Sequence, residues 1–211
     1  MRTRAYTGIA GLRKEYTQRQ DAIMSRLRDF SRIAPEEYFY ELTYCLLTPQ
    51  SSAVNAGRAV ELMKSVNLQQ TDVDPLPYLY SETHYIRFHN TKARHVMQAR
   101  AGFGTIAHAL ANGFSSSALR EWLVENVRGL GWKEASHFLR NIGHRNLAIL
   151  DRHILRNLKT HGVIRALPAA LTRTSYLAIE KKFLGFAAAI GIPMDELDLL
   201  FWSRETGEIL K

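Results

Sequence analysis

Cysteine is almost absent. Cys45 is the one cysteine in 211 residues, which excludes an intrachain disulfide and a four-cysteine zinc or iron–sulfur site, since each needs several thiolates. No iron–sulfur cluster and no other metal centre is expected, and the expected compartment is reducing and intracellular. No apolar run approaches the ~20 residues needed to cross a bilayer, and the N-terminus lacks the apolar core of a secretory signal, so no membrane attachment is expected. Strand signals are weak throughout. Acid is in deficit as well: 28 Lys and Arg stand against 20 Asp and Glu, for a formal net charge of +8.

That excess points to a polyanionic partner, because clustered cations gain free energy by displacing counterions condensed on phosphates. The charge is uneven. Residues 128–165 carry eight Lys or Arg against Glu134 and Asp151 alone, whereas the stretch from Asp195 to Glu208 is acidic. Such a field is directional and fits a nucleic acid, although a solvated basic face has the same composition.

Apolar residues recur at helical spacing in nearly every segment, which predicts an all-α chain. Ile23, Leu27 and Phe30 mark a first helix. Pro35, Glu36 and Glu37 open a second, with Tyr38, Leu42, Cys45 and Leu46 as its buried stripe and Thr48-Pro49 as its stop. A third is expected over 50–66, and a fourth, capped by Thr91, carries Ala93, Val96, Phe103 and Ile106 across a loosening Gly102-Gly104 pair. Tyr176, Ile179, Phe183, Phe186 and Ile190 form a long helix that ends at Gly191, and Pro193 restarts a short one that ends near Ser203.

The most informative segment is a pair of helices around Gly129-Leu130-Gly131. Leu119, Trp122, Leu123 and Val127 make one apolar face ending at Arg128, and Ala135, Phe138, Leu139 and Ile142 make the next. Glycines let the backbone approach a ligand closely, while the second helix aims its free amides outward, a geometry that takes a phosphate oxygen. The hairpin carbonyls are suited to a monovalent cation bridging to phosphate. A plain αα-hairpin with a glycine turn is the bland alternative.

Lys133 follows Gly131 by two residues, so a phosphate gripped by the hairpin brings a nucleic-acid strand beside its amine. A lysine opposes the dipole at a helix start, so helix stabilisation does not explain the choice of residue. Downstream, Leu147, Ala148, Ile149 and Leu150 lead to Asp151, placed as N-cap of a helix carrying Ile154, Leu155 and Leu158. Capping alone accounts for an aspartate there. A carboxylate held rigidly by its own helix is also an electrostatic device.

The stretch Val127-Arg128-Gly129-Leu130-Gly131-Trp132-Lys133-Glu134-Ala135, continuing through Ala148-Ile149-Leu150-Asp151-Arg152-His153, resembles the helix–hairpin–helix DNA glycosylase superfamily. Residues 133–141 and 202–211 resemble its archaeal-type 8-oxoguanine glycosylase/AP lyase branch. The resemblance implies an all-α, two-lobed architecture with the active site in the inter-lobe cleft. The middle helices, 35–114, would form one lobe; 1–34 and 115–211, with the hairpin unit at about 117–142, would form the other. It implies Lys133 as nucleophile and Asp151 as catalytic aspartate, a bifunctional enzyme of base-excision repair that needs no cofactor, and double-stranded DNA containing damaged guanine as partner. The chain is expected to act as a monomer in the cytoplasm or nucleoid.

An enzyme acting at C1′ in a duplex must take the nucleotide out of the stack and prop the gap. Gln50 lies where relatives carry a helix-opening loop. Lys211 matches a terminal lysine that reaches the base pocket, Trp202 a ring that stacks on the extruded base, and Phe88 a weaker candidate for the same wall. Arg128, Gly129, Gly131 and Arg152 are expected at the DNA backbone, and Arg140 and Arg156 are further cations of the same surface. The alternatives are a glycosylase for another damaged base on this scaffold and a noncatalytic DNA-binding module.

Overall fold

The computed structural model describes residues 6–81, 84–207 and 209. Among these the regular structure is helical, apart from one isolated antiparallel bridge between Tyr80 and Tyr85. The α-helices run α1 (Ile9–Phe30), α2 (Tyr38–Leu47), α3 (Ala53–Ser65), α4 (His89–Ala101), α5 (Phe103–Ala111), α6 (Ser116–Asn126), α7 (Trp132–Asn141), α8 (Arg152–Thr160), α9 (Arg173–Ile190) and α10 (Met194–Thr206). They divide into two compact units, residues 33–142 and residues 1–32 with 143–211.

The 33–142 unit is built round α2, which packs against α3, α4 and α7. Pro35 starts a single 3-10 turn at Pro35–Glu37 that leads into it. The expected stripe underestimates α2: Phe39, Leu42, Cys45 and Leu47 are fully buried and every residue after Tyr38 is inside. A helix apolar on all sides belongs in a core, and each fully buried Leu or Phe contributes roughly 1.5–3 kcal/mol. Its one acid, Glu41, accepts from Asn141 Nδ2 at 3.0 Å, and Asn141 Oδ1 accepts from Arg140 Nε at 3.1 Å. That polar clasp fastens the end of α7 to α2, and the packing of α7 on α2 and of α6 on α5 and α7 gives a division that differs from the expected one. Residues 115–142, placed with the chain ends by the sequence reading, belong to the same unit as the middle helices.

The expected fourth helix is two helices. The chain turns at Gly102, whose N–H bonds Gln98 O, and α5 then brings Phe103 edge-on to Phe39 at 5.4 Å. Thr91 is not its cap. Phe88 occupies that position with φ 62°, and its carbonyl accepts from Thr91 N and Lys92 N at 3.0 Å each. Ser52 and Ser115 are the side-chain caps of α3 and α6.

In the other unit α10 packs against α1, α8 and α9. Leu197, Leu199, Leu200 and Phe201 are buried, so α10 is the counterpart of α2. Helix α1 begins at Ile9, well before the expected start; Leu12 is buried in its first turn, and polar contacts add to the hold. Arg13 Nε and Nη2 donate to Ile190 O at 3.3 and 3.2 Å, and Arg204 Nε donates to Glu15 at 2.8 Å. Tyr176, Phe183 and Phe186 of α9 are buried as expected, and Gly191 closes it in the left-handed conformation. Helix α10 runs to Thr206, past the expected end near Ser203.

Candidate active site

Two helices, α6 and α7, are joined by the hairpin. Leu130 N donates to Val127 O at 3.2 Å, and the buried Leu130 anchors the turn while Arg128, Gly129 and Gly131 stay exposed. The two glycines are there for different reasons. Gly129 has φ 87°, and a Cβ on it would fall inside the imidazole of His95, which packs on the backbone from α4. Burial, and then Arg128 and Arg94, hold that imidazole below the usual histidine range. Gly131 is extended backbone that any residue adopts, and a Cβ there meets only the end of Glu134, Oε2 at 2.9 Å. The conformational freedom expected of both glycines is therefore used only by Gly129.

This difference has a measurable consequence. Gly129→Ala carries left-handed strain of about 1–2 kcal/mol before the steric clash. With a Tm change of about 2–4 °C per kcal/mol at this size, it should melt at least several degrees lower and lose affinity for undamaged duplex in an anisotropy titration. Gly131→Ala should do neither to a comparable extent.

An open depression of about 470 Å³ borders Arg128, Gly129, Leu130 and Gly131. The amides of the first turn of α7 have no acceptor within the helix and supply an anion-binding end there. Lys133 is the second residue of α7. Its side chain is 29% exposed, and Nζ lies 3.0 Å from Glu134 Oε1. Within electrostatic reach of it is Lys92 of α4, which is 5% exposed. Burial first, and then the charge of Lys133, lower the Lys92 ammonium to about 8, with Glu134 acting in the opposite direction. Sequence reasoning missed both Lys92 and Glu134. Lys92 stands in no pattern that betrays its role, because its partners lie 41–45 residues earlier in the chain, whereas the pair of Glu134 with Lys133 is one of adjacent residues.

Asp151 is at the N-cap of α8 with Oδ1 accepting from His153 N and Ile154 N, both at 2.8 Å. The apolar run before it is pinned on both edges. Ala148 N donates to Glu180 at 2.8 Å, Leu150 N to the Tyr176 hydroxyl at 3.3 Å, and Asn146 N to Asp195 at 3.1 and 3.2 Å. The Tyr176 hydroxyl in turn donates to Ala148 O. Asp151 is thus fixed from upstream and by its own helix. The half-buried indole of Trp202 lies 5.3 Å from the His153 ring, and the exposed Arg152 donates to His153 Nε2 at 3.0 Å.

In the 33–142 unit, Gln50 and Phe88 are both exposed in left-handed conformations, with φ of 55° and 62°. Arg87 stands 4.8 Å over the Phe88 ring, and Trp132 carries the Arg120 guanidinium at 4.9 Å. Arg128, Arg152 and Arg156 are exposed, whereas Arg140 is buried in the clasp with Asn141 and is removed from the expected phosphate contacts. Lys211 lies outside the described residues. Among the described residues no group of three or more His, Cys, Asp or Glu could hold a metal ion, and no helix is long and apolar enough to cross a membrane.

Two helices joined through a short glycine turn, in an otherwise all-α chain, define a helix–hairpin–helix protein. A family model described as 8-oxoguanine DNA glycosylase matches residues 23–192. The chain belongs to that family. A relative from Fusobacterium nucleatum named 8-oxoguanine DNA glycosylase/AP lyase is 38% identical over 210 residues, covering 95% of this chain and 96% of the relative. One of the same name from Korarchaeum cryptofilum is 38% identical over 91% of each chain. The crystal structure of the Methanocaldococcus jannaschii 8-oxoguanine glycosylase/lyase in complex with a 15mer DNA containing 8-oxoguanine is similar with a TM-score of 0.84. It is 32% identical, with 95% of this chain and 99% of that chain covered.

Proposed function

We propose that this chain removes 8-oxoguanine from duplex DNA and nicks the abasic strand, with Lys133 as nucleophile and Asp151 as its electrostatic partner. The observation that carries the reading is the placement of Lys133 in the first turn of α7, directly after a hairpin built to take a phosphate. A strand held there lies beside a primary amine. The neutral form of that amine attacks C1′ of the extruded nucleotide, the bond from C1′ to N9 breaks, and the base leaves with the electron pair. The sugar ring opens to a protonated Schiff base. That iminium acidifies C2′–H, and proton loss drives cleavage of the C3′–O3′ bond by β-elimination; hydrolysis then returns the free lysine.

Lys133 has to leave its pair with Glu134 and give up a proton before attack. The negative charge of Asp151, oriented by two backbone amides, stabilises positive charge developing on the sugar. Trp202 and Phe88 offer aromatic faces to the extruded base, and Gln50 fills the gap. Arg128, Gly129, Gly131 and Arg152 hold the backbone, and a monovalent cation on the hairpin carbonyls would serve the same phosphate. The protein acts as a monomer on DNA, without a cofactor.

Single-turnover cleavage of duplexes carrying 8-oxoguanine, guanine, an oxidised pyrimidine or an alkylated purine tests the reading. Nicking confined to 8-oxoguanine is expected. Binding of all four with no nicking would make the chain a holding module, and nicking of another lesion would reassign the substrate. In the same assay, removal of Lys211 should slow 8-oxoguanine excision by roughly tenfold or more, the scale of a lost specific polar contact. Cleavage at a preformed abasic site should change much less; equal losses would end the role of Lys211 in reading the base.

A further inference from the structure

A turn at 48–51 carries Gln50, and the segment 85–88 carries Phe88. Neither residue is glycine, yet both have left-handed φ, a conformation that side chains rarely adopt unless surrounding structure enforces it. The enforcing structure is visible. Lys92 Nζ donates to Leu47 O at 2.6 Å, to Pro49 O at 2.6 Å and to Ser51 Oγ at 3.1 Å, so every ammonium hydrogen is engaged by this one turn. Ser51 N closes the turn onto Thr48 O at 3.0 Å. The same Ser51 Oγ accepts from Arg87 N at 2.9 Å, and Asn55 Nδ2 donates to Tyr85 O at 3.2 Å. The backbone of Lys92 also bonds Phe88 O.

We propose that Lys92 is a positioning residue for base extrusion: its ammonium, through the shared Ser51 hydroxyl, locks the Gln50 turn to the Phe88 segment so that both side chains meet DNA as one rigid device. The inference rests on the glycosylase reading given above. The arrangement is more than the cap of an orphan carbonyl at the end of α2, which one contact to Leu47 O would satisfy. Two of the three bonds go beyond that carbonyl, and the third acceptor belongs to a hydroxyl that the neighbouring segment also uses. A buried ammonium is costly unless fully hydrogen-bonded, and here its three acceptors all lie in residues 47–51, with Ser51 Oγ passing the link on to Arg87 N. It also lies within electrostatic reach of Lys133, so a substitution has to be tested for a direct effect on the nucleophile as well.

The test compares two reactions of the full chain. Excision from duplex 8-oxoguanine requires extrusion and gap filling. Borohydride trapping on an abasic site in a single-stranded oligonucleotide requires neither, since there is no partner base and no lesion base to stack. Lys92→Met should reduce single-turnover excision about tenfold to a hundredfold, the range for losing hydrogen bonds to a charged group. It should also slow the fluorescence rise of a 2-aminopurine placed beside the lesion, while single-stranded trapping stays within about threefold of wild type. Ser51→Ala should move excision in the same direction, and Ser51→Thr, which keeps the hydroxyl, should restore it. The Ser51 pair decides the matter if Lys92→Met fails to fold. Parallel losses in both reactions, or no loss in either, overturn the positioning role. A wild-type chain that performs neither reaction overturns the glycosylase reading itself.

Discussion

Lys133→Gln should abolish both the covalent adduct trapped by borohydride and the strand nick, lowering each on the order of 10⁴-fold or more, the scale on which nucleophile deletions act. Binding of duplex containing 8-oxoguanine should survive, and so should the fold. The side chain is 29% exposed and its one ion pair, to Glu134, is of a kind that contributes about 0–1 kcal/mol. Glutamine is close in length and remains compatible with the helix, so an unchanged melting curve beside a lost adduct isolates the chemistry from stability. Full cleavage by a folded Lys133→Gln protein would sink the assignment of the nucleophile. A loss of binding equal to the loss of cleavage would move Lys133 from chemistry to phosphate contact.

The residue that makes this prediction possible was legible because its meaning is local. The places of the hairpin glycines, of the lysine two residues on and of the aspartate capping α8 each follow from short-range pattern and from what backbone amides need, whereas the roles proposed for Lys133 and Asp151 rest on the family resemblance. Helix α9 was legible for the same reason: Tyr176, Phe183 and Phe186 repeat at helical spacing and are buried. Where tertiary contacts decide, the sequence was silent or misleading. The first turns of α1 carry only a thin apolar stripe, with Leu12 buried between Ile9 and Tyr16, and Arg13 and Glu15 add polar contacts there. The break at Gly102 comes with Phe103 reaching Phe39, and residues 115–142 group with the middle helices through the packing of α7 on α2 and α6 on α5, with Glu41 meeting Asn141. Lys92 shows the limit most clearly. As a lysine in an ordinary helical run it reads as a surface charge, yet it is buried with its hydrogens spent on a turn 41–45 residues earlier in the chain.

Asp151 poses a harder separation, because it serves as cap and, on the reading above, as catalyst through the same oxygens. Asn and Ala substitutions divide the two roles. Asp151→Asn keeps an Oδ1 that accepts from His153 N and Ile154 N, and asparagine caps helices about as well as aspartate, so stability should hold. Asp151→Ala forfeits the cap at about 1 kcal/mol, a drop in Tm of roughly 2–4 °C for a chain of this length. Both lose the negative charge, and both should slow single-turnover base removal by about 10²–10³-fold, the magnitude of a lost preorganised electrostatic contact. Charge on the sugar is created in base removal and has been passed to the iminium by the time of β-elimination, so cleavage of a preformed abasic site should suffer less. Base removal at the wild-type rate by Asp151→Asn, with only the alanine variant impaired, would reduce Asp151 to a helix cap and leave Lys133 without its electrostatic partner.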